Sequence, residues 1–441
     1  MKSLMIVATA VATDARVLKE AATLVAAGHT VHIIGKNVPG DFVPPPGVTI
    51  SSVGASSVLR KQGAQSLSGR KLSPPMAFAR WVMLPTHRNS TFARFGEAAE
   101  HIAHELATNG DGFDVVHAHD FTSLEAGVRI AAHAAVPLIY DTHEFWSGRS
   151  REYRPTPLQD AHERRLEGEL AAMAAAVITV GDGVAEALRQ QYKENNWPHI
   201  TTVRNSFPSL PEDITAALPD LPEKPHGIIY AGRIGAHREL ETAAAAATTL
   251  TNEGIEVRLM GPVDNTWLNS HDTGAATIVA PTSPDEVDAH LRKCGLVLVA
   301  LAPGWKNHEL ALPNKLFHAV RAGVPMVASD IGELAAVVRK YNLGTLYTPG
   351  NSDSLVQATR EAIAKYSDLC QSVQAAQHEL SWESDGAALL SVYDSLSGAT
   401  PPHLPPTTKT QHTTARVVRE PMARAVRTLR AHTRASTRKG E

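Results

Sequence analysis

Leu4-Met-Ile-Val-Ala8, then Asp14-Ala-Arg-Val-Leu-Lys-Glu-Ala-Ala-Thr-Leu-Val-Ala-Ala27, then Thr30-Val-His-Ile-Ile-Gly35 are the runs on which the fold turns. The first and third are short and apolar, as strands buried on both faces must be. The middle run is an amphipathic helical pattern that carries Arg16, Lys19 and Glu20 and is closed by Gly28. A strand, a crossover helix and a second strand predict parallel sheet. The same start, with Lys2 before a short apolar run and Ala10-Val11-Ala12 after it, imitates a secretory signal. The strand-helix reading accounts for every residue and is preferred.

The pattern repeats outward. Strands are expected at 114–117, 137–140, 177–180 and 203–206, with helices at 125–133, 158–174 and 183–192. Residues 207–225 hold five prolines and four acids with little periodicity and read as a linker. A second series follows, with strands at 227–230, 256–260, 277–280, 296–301 and 325–329 and helices at 240–252, 283–293, 314–322 and 332–341. Two doubly wound α/β halves, 1–206 and 226–381, are therefore expected to face a cleft at the carboxyl ends of their strands. Residues 40–90, rich in Pro, Gly and Ser, read as a long loop region.

Of the 441 residues, 43% are hydrophobic and 20% charged, which suits a soluble multidomain protein. No apolar run reaches the roughly 18 residues needed to span a bilayer. The net charge of −3 hides an asymmetry. Residues 401–441 carry nine Lys or Arg against two acids, leaving the first 400 residues at −10. Val418, Met422, Val426 and Leu429 could line one face of a basic helix in that tail, so an anionic membrane surface is an expected partner of 415–435, and a solvated tail is the alternative. Only Cys294 and Cys370 occur, without metal-site or redox-motif spacing, which fits a reducing, cytoplasmic setting.

Two segments carry chemistry. Tyr230-Ala-Gly-Arg-Ile-Gly-Ala-His-Arg238 is a glycine-containing turn between a strand and a helix, with Gly232 in the turn and Arg233 and Arg238 as cations. Backbone N–H groups at such a turn, with guanidinium donors, suit a diphosphate. In Pro313-Asn314-Lys315, a helix start is followed by His318 on the face of Lys315. Read singly, the arginines could equally be solvated, Lys315 a first-turn surface lysine and His318 a core histidine. No GxGxxG follows the first strand, which argues against a nicotinamide dehydrogenase.

Taken together, the segments resemble the glycosyltransferases of family 4, retaining enzymes of the GT-B architecture. The resemblance spans about residues 1–395. It rests on Asp14-Ala-Arg-Val-Leu-Lys-Glu-Ala with Gly28-His-Thr-Val, Asp114-Val-Val-His-Ala-His-Asp120, Tyr140-Asp-Thr-His-Glu-Phe145 and Val203-Arg-Asn205 in the first half. In the second half it rests on Gly232-Arg233, Leu312-Pro-Asn-Lys-Leu-Phe317 and Ala322-Gly-Val-Pro-Met-Val-Ala-Ser329. Ser381-Trp-Glu followed by Leu389–Leu396 resembles the family's closing helix, placed at 382–397 and returning to the first domain.

The resemblance implies a nucleotide-sugar donor, a glycan, lipid-linked or small-molecule hydroxyl acceptor, and no nucleic acid. Arg233 and Arg238 would neutralise the departing diphosphate, with Gly232, Pro313, Asn314, Lys315 and His318 completing the donor site. His119 would approach the donor sugar. Thr9, Asp14, His143 and Glu144 would line the acceptor side. The family's two donor-site glutamates are replaced by Leu310 and His318. With no Asp-X-Asp triplet present, no metal and no cofactor are expected. The alternatives are a nucleotide-sugar epimerase of the same architecture and an inactive nucleotide-sugar-binding subunit.

Overall fold

A computed structural model describes residues 1–54, 92–149 and 157–404. The basic tail and most of the 40–90 segment lie outside the described residues. Met1–Pro402 form one compact unit that contains two parallel sheets.

The first sheet contains β1 (Lys2–Val7), β2 (Thr30–Lys36), β3 (Val48–Val53), β4 (Val115–His119), β5 (Leu138–Thr142), β6 (Ala176–Thr179) and β7 (Ile200–Thr202). Its order is β3-β2-β1-β4-β5-β6-β7. The second contains β8 (Gly227–Ala231), β9 (Glu256–Met260), β10 (Thr277–Val279), β11 (Gly295–Val299), β12 (Met326–Ser329) and β13 (Gly344–Tyr347), ordered β10-β9-β8-β11-β12-β13. The chain reverses direction across each sheet beside its first strand, which opens a crevice between β1 and β4 and another between β8 and β11. Every pairing is parallel, and Val7 lies opposite His119 in register.

The structure corrects several expected elements. Val48–Val53 is an edge strand rather than loop; its residues are half-polar, VTISSV, which blurred the apolar signal. The linker includes the helix Glu212–Ala217, which buries no residue. The last strand of the first half is Ile200–Thr202, and Val203–Ser206 continue as non-strand backbone. Between Tyr341 and Ser381, where no element was expected, β13 is followed by the helices Ser352–Ala364 and Tyr366–Ala376.

The helix Trp382–Asp394 belongs spatially to the first half. Trp382, Leu389, Val392 and Tyr393 share one core with Met5, Val7, Val17 and Leu24. Trp382 Nε1 donates to Thr23 Oγ1 at 2.7 Å, and the Tyr393 hydroxyl meets Ser3 Oγ at 2.8 Å and His117 Nδ1 at 3.0 Å.

Candidate functional site

The loop after β1 turns through Val11–Thr13, and Asp14 then caps the helix Ala15–Ala26 by accepting from the Val17 N–H at 3.3 Å. Thr9 Oγ1 lies 3.5 Å from Asp14 Oδ2. Thr9 and Asp14 thus stand at the mouth of the β1–β4 crevice. His143 and Glu144 follow β5 on the same edge.

Behind them lies a buried charge cluster. Asp141 accepts from Arg16 Nη2 at 2.9 Å and Arg16 Nε at 3.2 Å, while Arg16 Nη1 donates to the Val203 carbonyl at 2.7 Å. Arg16 Nε also lies 3.0 Å from Glu20 Oε1. Burial opposes the Asp141 charge, yet Arg16, His143 and His119 hold its carboxyl well below the usual carboxylate range. Burial pushes the Glu20 carboxyl up and keeps its proton near neutral pH. Burial also works against a charged His143, but Asp120 and Asp141 outweigh it and raise its pKa to about 10.

His119 lies behind His143. The His119 ring is 1% exposed, its Nδ1 is 3.2 Å from His143 Nε2, and burial lowers its pKa. Its Nε2 is buried without a hydrogen-bond partner. Of the two, His143 is therefore the histidine that meets the cleft. Ligand atoms of Glu20, His117, His119 and Asp141 lie within 4.8 Å of one another, a donor set that could hold a cation. Arg16 already sits beside Asp141 and Glu20 and compensates the Asp141 charge.

On the opposite wall, Gly232 has φ 151°, and a Cβ there would sit 3.2 Å from Lys315 Nζ. The Gly232 carbonyl packs on Gly261, where a side chain would collide with it. Tyr230 donates to the Arg233 carbonyl at 3.0 Å, and Lys315 Nζ lies 4.6 Å from the Tyr230 ring centre. Glu239, at φ 63°, pins the end of the turn by accepting from Thr242, Tyr347 and the Gly350 N–H. Burial and the neighbouring Arg238 lower the Lys315 pKa to about 8. Arg233 is 68% exposed and lies 3.9 Å from Asp264. The helices Leu240–Asn252 and Asn314–Ala322 both begin without a side-chain cap. Two open helix starts and three cations thus meet beside β8, an arrangement suited to a diphosphate.

His318 is placed differently from Lys315. Its ring packs at a tilt of 45° against Phe207, with centroids 4.1 Å apart, and faces the buried Asp288 at 3.7 Å, beside the Arg321–Asp288 pair at 2.8 Å. Leu310 closes the short helix Lys306–Leu310, and Pro313 is the N-cap of the next helix.

A cavity of about 590 Å³ is lined by Thr9, Asp14, His143, Glu144 and Asn314, and Gly232, Arg233, Arg238, Lys315 and His318 stand outside its lining. Asn307 Nδ2 donates to Glu144 Oε2 across it at 2.8 Å, and Asn205 Nδ2 reaches Asn314 Oδ1 at 3.3 Å. The volume suits a small-molecule site. A larger cavity, about 860 Å³, lies between the linker and the C-terminal helices; Gly323 and Ser381 of the quoted motifs line it, and none of the candidate site residues does. Arg16, Glu20, Asp141 and Asn307 are the site residues that sequence reasoning missed. Arg16 and Asp141 stand inside quoted motifs, and an arginine and an aspartate on buried faces were the available signal.

Residues 12–205 match the model of the glycosyl transferase 4-like domain, and residues 225–365 match that of glycosyl transferases group 1. A glycogen synthase of Mycobacterium tuberculosis is 24% identical over 290 residues, covering 64% of this chain and 68% of that protein. A D-inositol 3-phosphate glycosyltransferase of Thermobifida fusca is 24% identical over 314 residues, covering 64% and 70%. Sucrose-phosphate synthase from Thermosynechococcus elongatus shares the fold at TM-score 0.64 and 16% identity, covering 91% of this chain and all of that one. The catalytic domain of starch synthase IV from Arabidopsis thaliana, bound to ADP and acarbose, shares it at TM-score 0.56 and 13% identity, with 90% and 99% covered. With both domain models matched in order on either side of the cleft, the chain belongs to the group 1 glycosyltransferases of GT-B fold and is a sugar-transferring enzyme.

Proposed function

We propose that the enzyme moves a sugar from a nucleoside diphosphate to an acceptor hydroxyl with retention of configuration and without a metal. The observation that carries this is the meeting of Arg233, Arg238 and Lys315 with two uncapped helix starts beside β8. The bond from the sugar's anomeric carbon to the diphosphate oxygen breaks, and the acceptor oxygen bonds to that carbon. The cations and helix dipoles stabilise the departing charge. At neutral pH His143 keeps its proton, so it does not serve as the base. The acceptor proton passes to the departing phosphate oxygen. Thr9, Asp14, His143 and Glu144 hold the acceptor, and two fixed walls lower the entropic cost of bringing the reactants together.

The test is incubation with UDP-, GDP-, ADP- and TDP-sugars over a panel of glycan, lipid-linked and small hydroxyl acceptors, reading nucleotide release and product by NMR. Acceptor-dependent product with retained configuration is expected, and activity should persist in EDTA. No turnover and no nucleotide binding across the panel overturns the reading. Binding without turnover would instead support the inactive subunit, which the placement of His318 on Phe207 and Asp288 favours over an epimerase.

The enzyme works in a reducing cytoplasm, consistent with free Cys294 and Cys370. Among the described residues no helix is long and apolar enough to cross a membrane. The basic segment 415–435 gives it a peripheral hold on anionic lipid. Binding to phosphatidylserine vesicles should weaken with salt and vanish on deleting 401–441. Equal binding by the truncated chain refutes that part.

A further inference from the structure

The helix Asp182–Gln191 belongs to the first sheet's half of the molecule, and its N-cap residue, Gly181, supplies no side-chain hydrogen bond. The first N–H groups of any helix need partners. Here they find one in the opposite half. The carboxylate of Glu333, in the first turn of the helix Gly332–Tyr341, lies against this helix start, where the Asp182 and Gly183 N–H groups favour its charged form. The approach is close: a Cβ at Gly183 would stand 2.6 Å from Glu333 Oε2.

Glu333 is rigidly carried. Gly332, at φ 39°, packs its backbone directly on the Glu309 carbonyl, so the helices Lys306–Leu310 and Gly332–Tyr341 form one ledge. The same ledge bears Asn307, which reaches across the cleft to Glu144. Two contacts between the halves therefore spring from one corner, one at the cavity wall and one behind it. Burial pushes the half-buried Glu333 carboxyl up, while the two N–H groups and Lys340 act in the other direction.

We propose that Glu333 is a positioning residue for sugar transfer: by capping the helix Asp182–Gln191 from the other domain, it holds the acceptor wall of the cleft against the donor wall. It acts through that helix and touches no reactant. The proposal rests on the transfer reading above. The closed arrangement aligns donor and acceptor, and domain contacts of this kind set turnover more than ground-state binding of one substrate.

The test uses the whole chain with Glu333→Ala, Glu333→Gln and Gly183→Ala. Glu333→Ala and Gly183→Ala should each lower kcat roughly 3- to 30-fold, the range spanned by losing one helix cap. They should also speed amide exchange at residues 182–184. The affinity for UDP, read by calorimetry, should stay within about twofold, because the donor wall is intact. Glu333→Gln keeps one acceptor oxygen and should restore most of both readouts. Unchanged exchange at 182–184 in Glu333→Ala overturns the cap. Unchanged kcat, or an equal loss of UDP affinity, overturns the positioning role. If the wild-type enzyme turns over no donor, the transfer reading fails, while the exchange measurement still decides the cap.

Discussion

The two walls of the cleft use charge in opposite ways. On the acceptor wall, Arg16, Asp141 and Glu20 lie in the interior, where the Arg16 and Asp141 charges answer each other at 2.9 Å and Glu20 is kept near them in its protonated form. On the donor wall, Arg233 reaches Asp264 only at 3.9 Å, and Lys315 is depressed by burial and by another cation rather than supported by an acid. Buried, mutually compensated charge shapes a wall, and removing one member leaves the rest stranded. Loosely paired charge at a surface leaves attraction available for an incoming anion.

The contrast is easiest to break at its largest effect. Asp141→Ala strands the Arg16 guanidinium in the interior and should cost about 3–5 kcal/mol of stability by urea titration. A loss below about 1 kcal/mol would show that the cluster is not the frame of its wall. Arg238→Ala should do the reverse. Stability should stay within about 0.5 kcal/mol, while kcat/KM falls roughly 10²- to 10³-fold through lost stabilisation of the departing diphosphate.

Lys315 sharpens the comparison through pH. It is charged below about 8 and neutral above it in the free enzyme. Nucleoside diphosphate affinity should therefore fall as pH rises through that value. Because a bound diphosphate pulls the lysine pKa back up, the loss should level off, and Lys315→Gln should flatten the profile in an isothermal titration series. The smallest effect belongs to His318. His318→Glu sets a carboxylate against Asp288, with Arg321 offsetting part of the repulsion, and should destabilise by about 0.5–1 kcal/mol. It should leave nucleotide affinity within about threefold, in line with the position of the ring on Phe207. A large gain in affinity would move His318 to the donor side.

Much of the frame is legible in the sequence because both sheets are buried on both faces and their strands are continuous apolar runs. Leu4–Val7 and Val297–Val299 are examples. Val48–Val53 was hidden for the converse reason: an edge strand answers to water on one side. The turn at Gly232 and the helix start at Asn314 announce an anion site through glycine, proline and cations, which are local signals. The Arg16–Asp141 pair joins residues 125 positions apart, and the Glu333 cap depends on where two domains touch. Neither leaves a local pattern. His119 stands at the end of β4, where the sequence places it, and the His143 ring that lies 3.2 Å from it comes from the segment after β5, a neighbour no local pattern announces.

The helix Trp382–Asp394 has a consequence for how the enzyme is made. It completes the core around Met5 and Val17, yet it is synthesised only after the whole second sheet. At ribosomal speeds of 5–20 residues per second, the first half waits roughly 10–40 s for its final helix after its own last strand has emerged. During that interval Ser3 and His117 have no Tyr393 hydroxyl to meet, and apolar surface near β1 stays open. A truncation before residue 382 should leave the first domain permanently in that state, with the core around Met5 and Val17 incomplete.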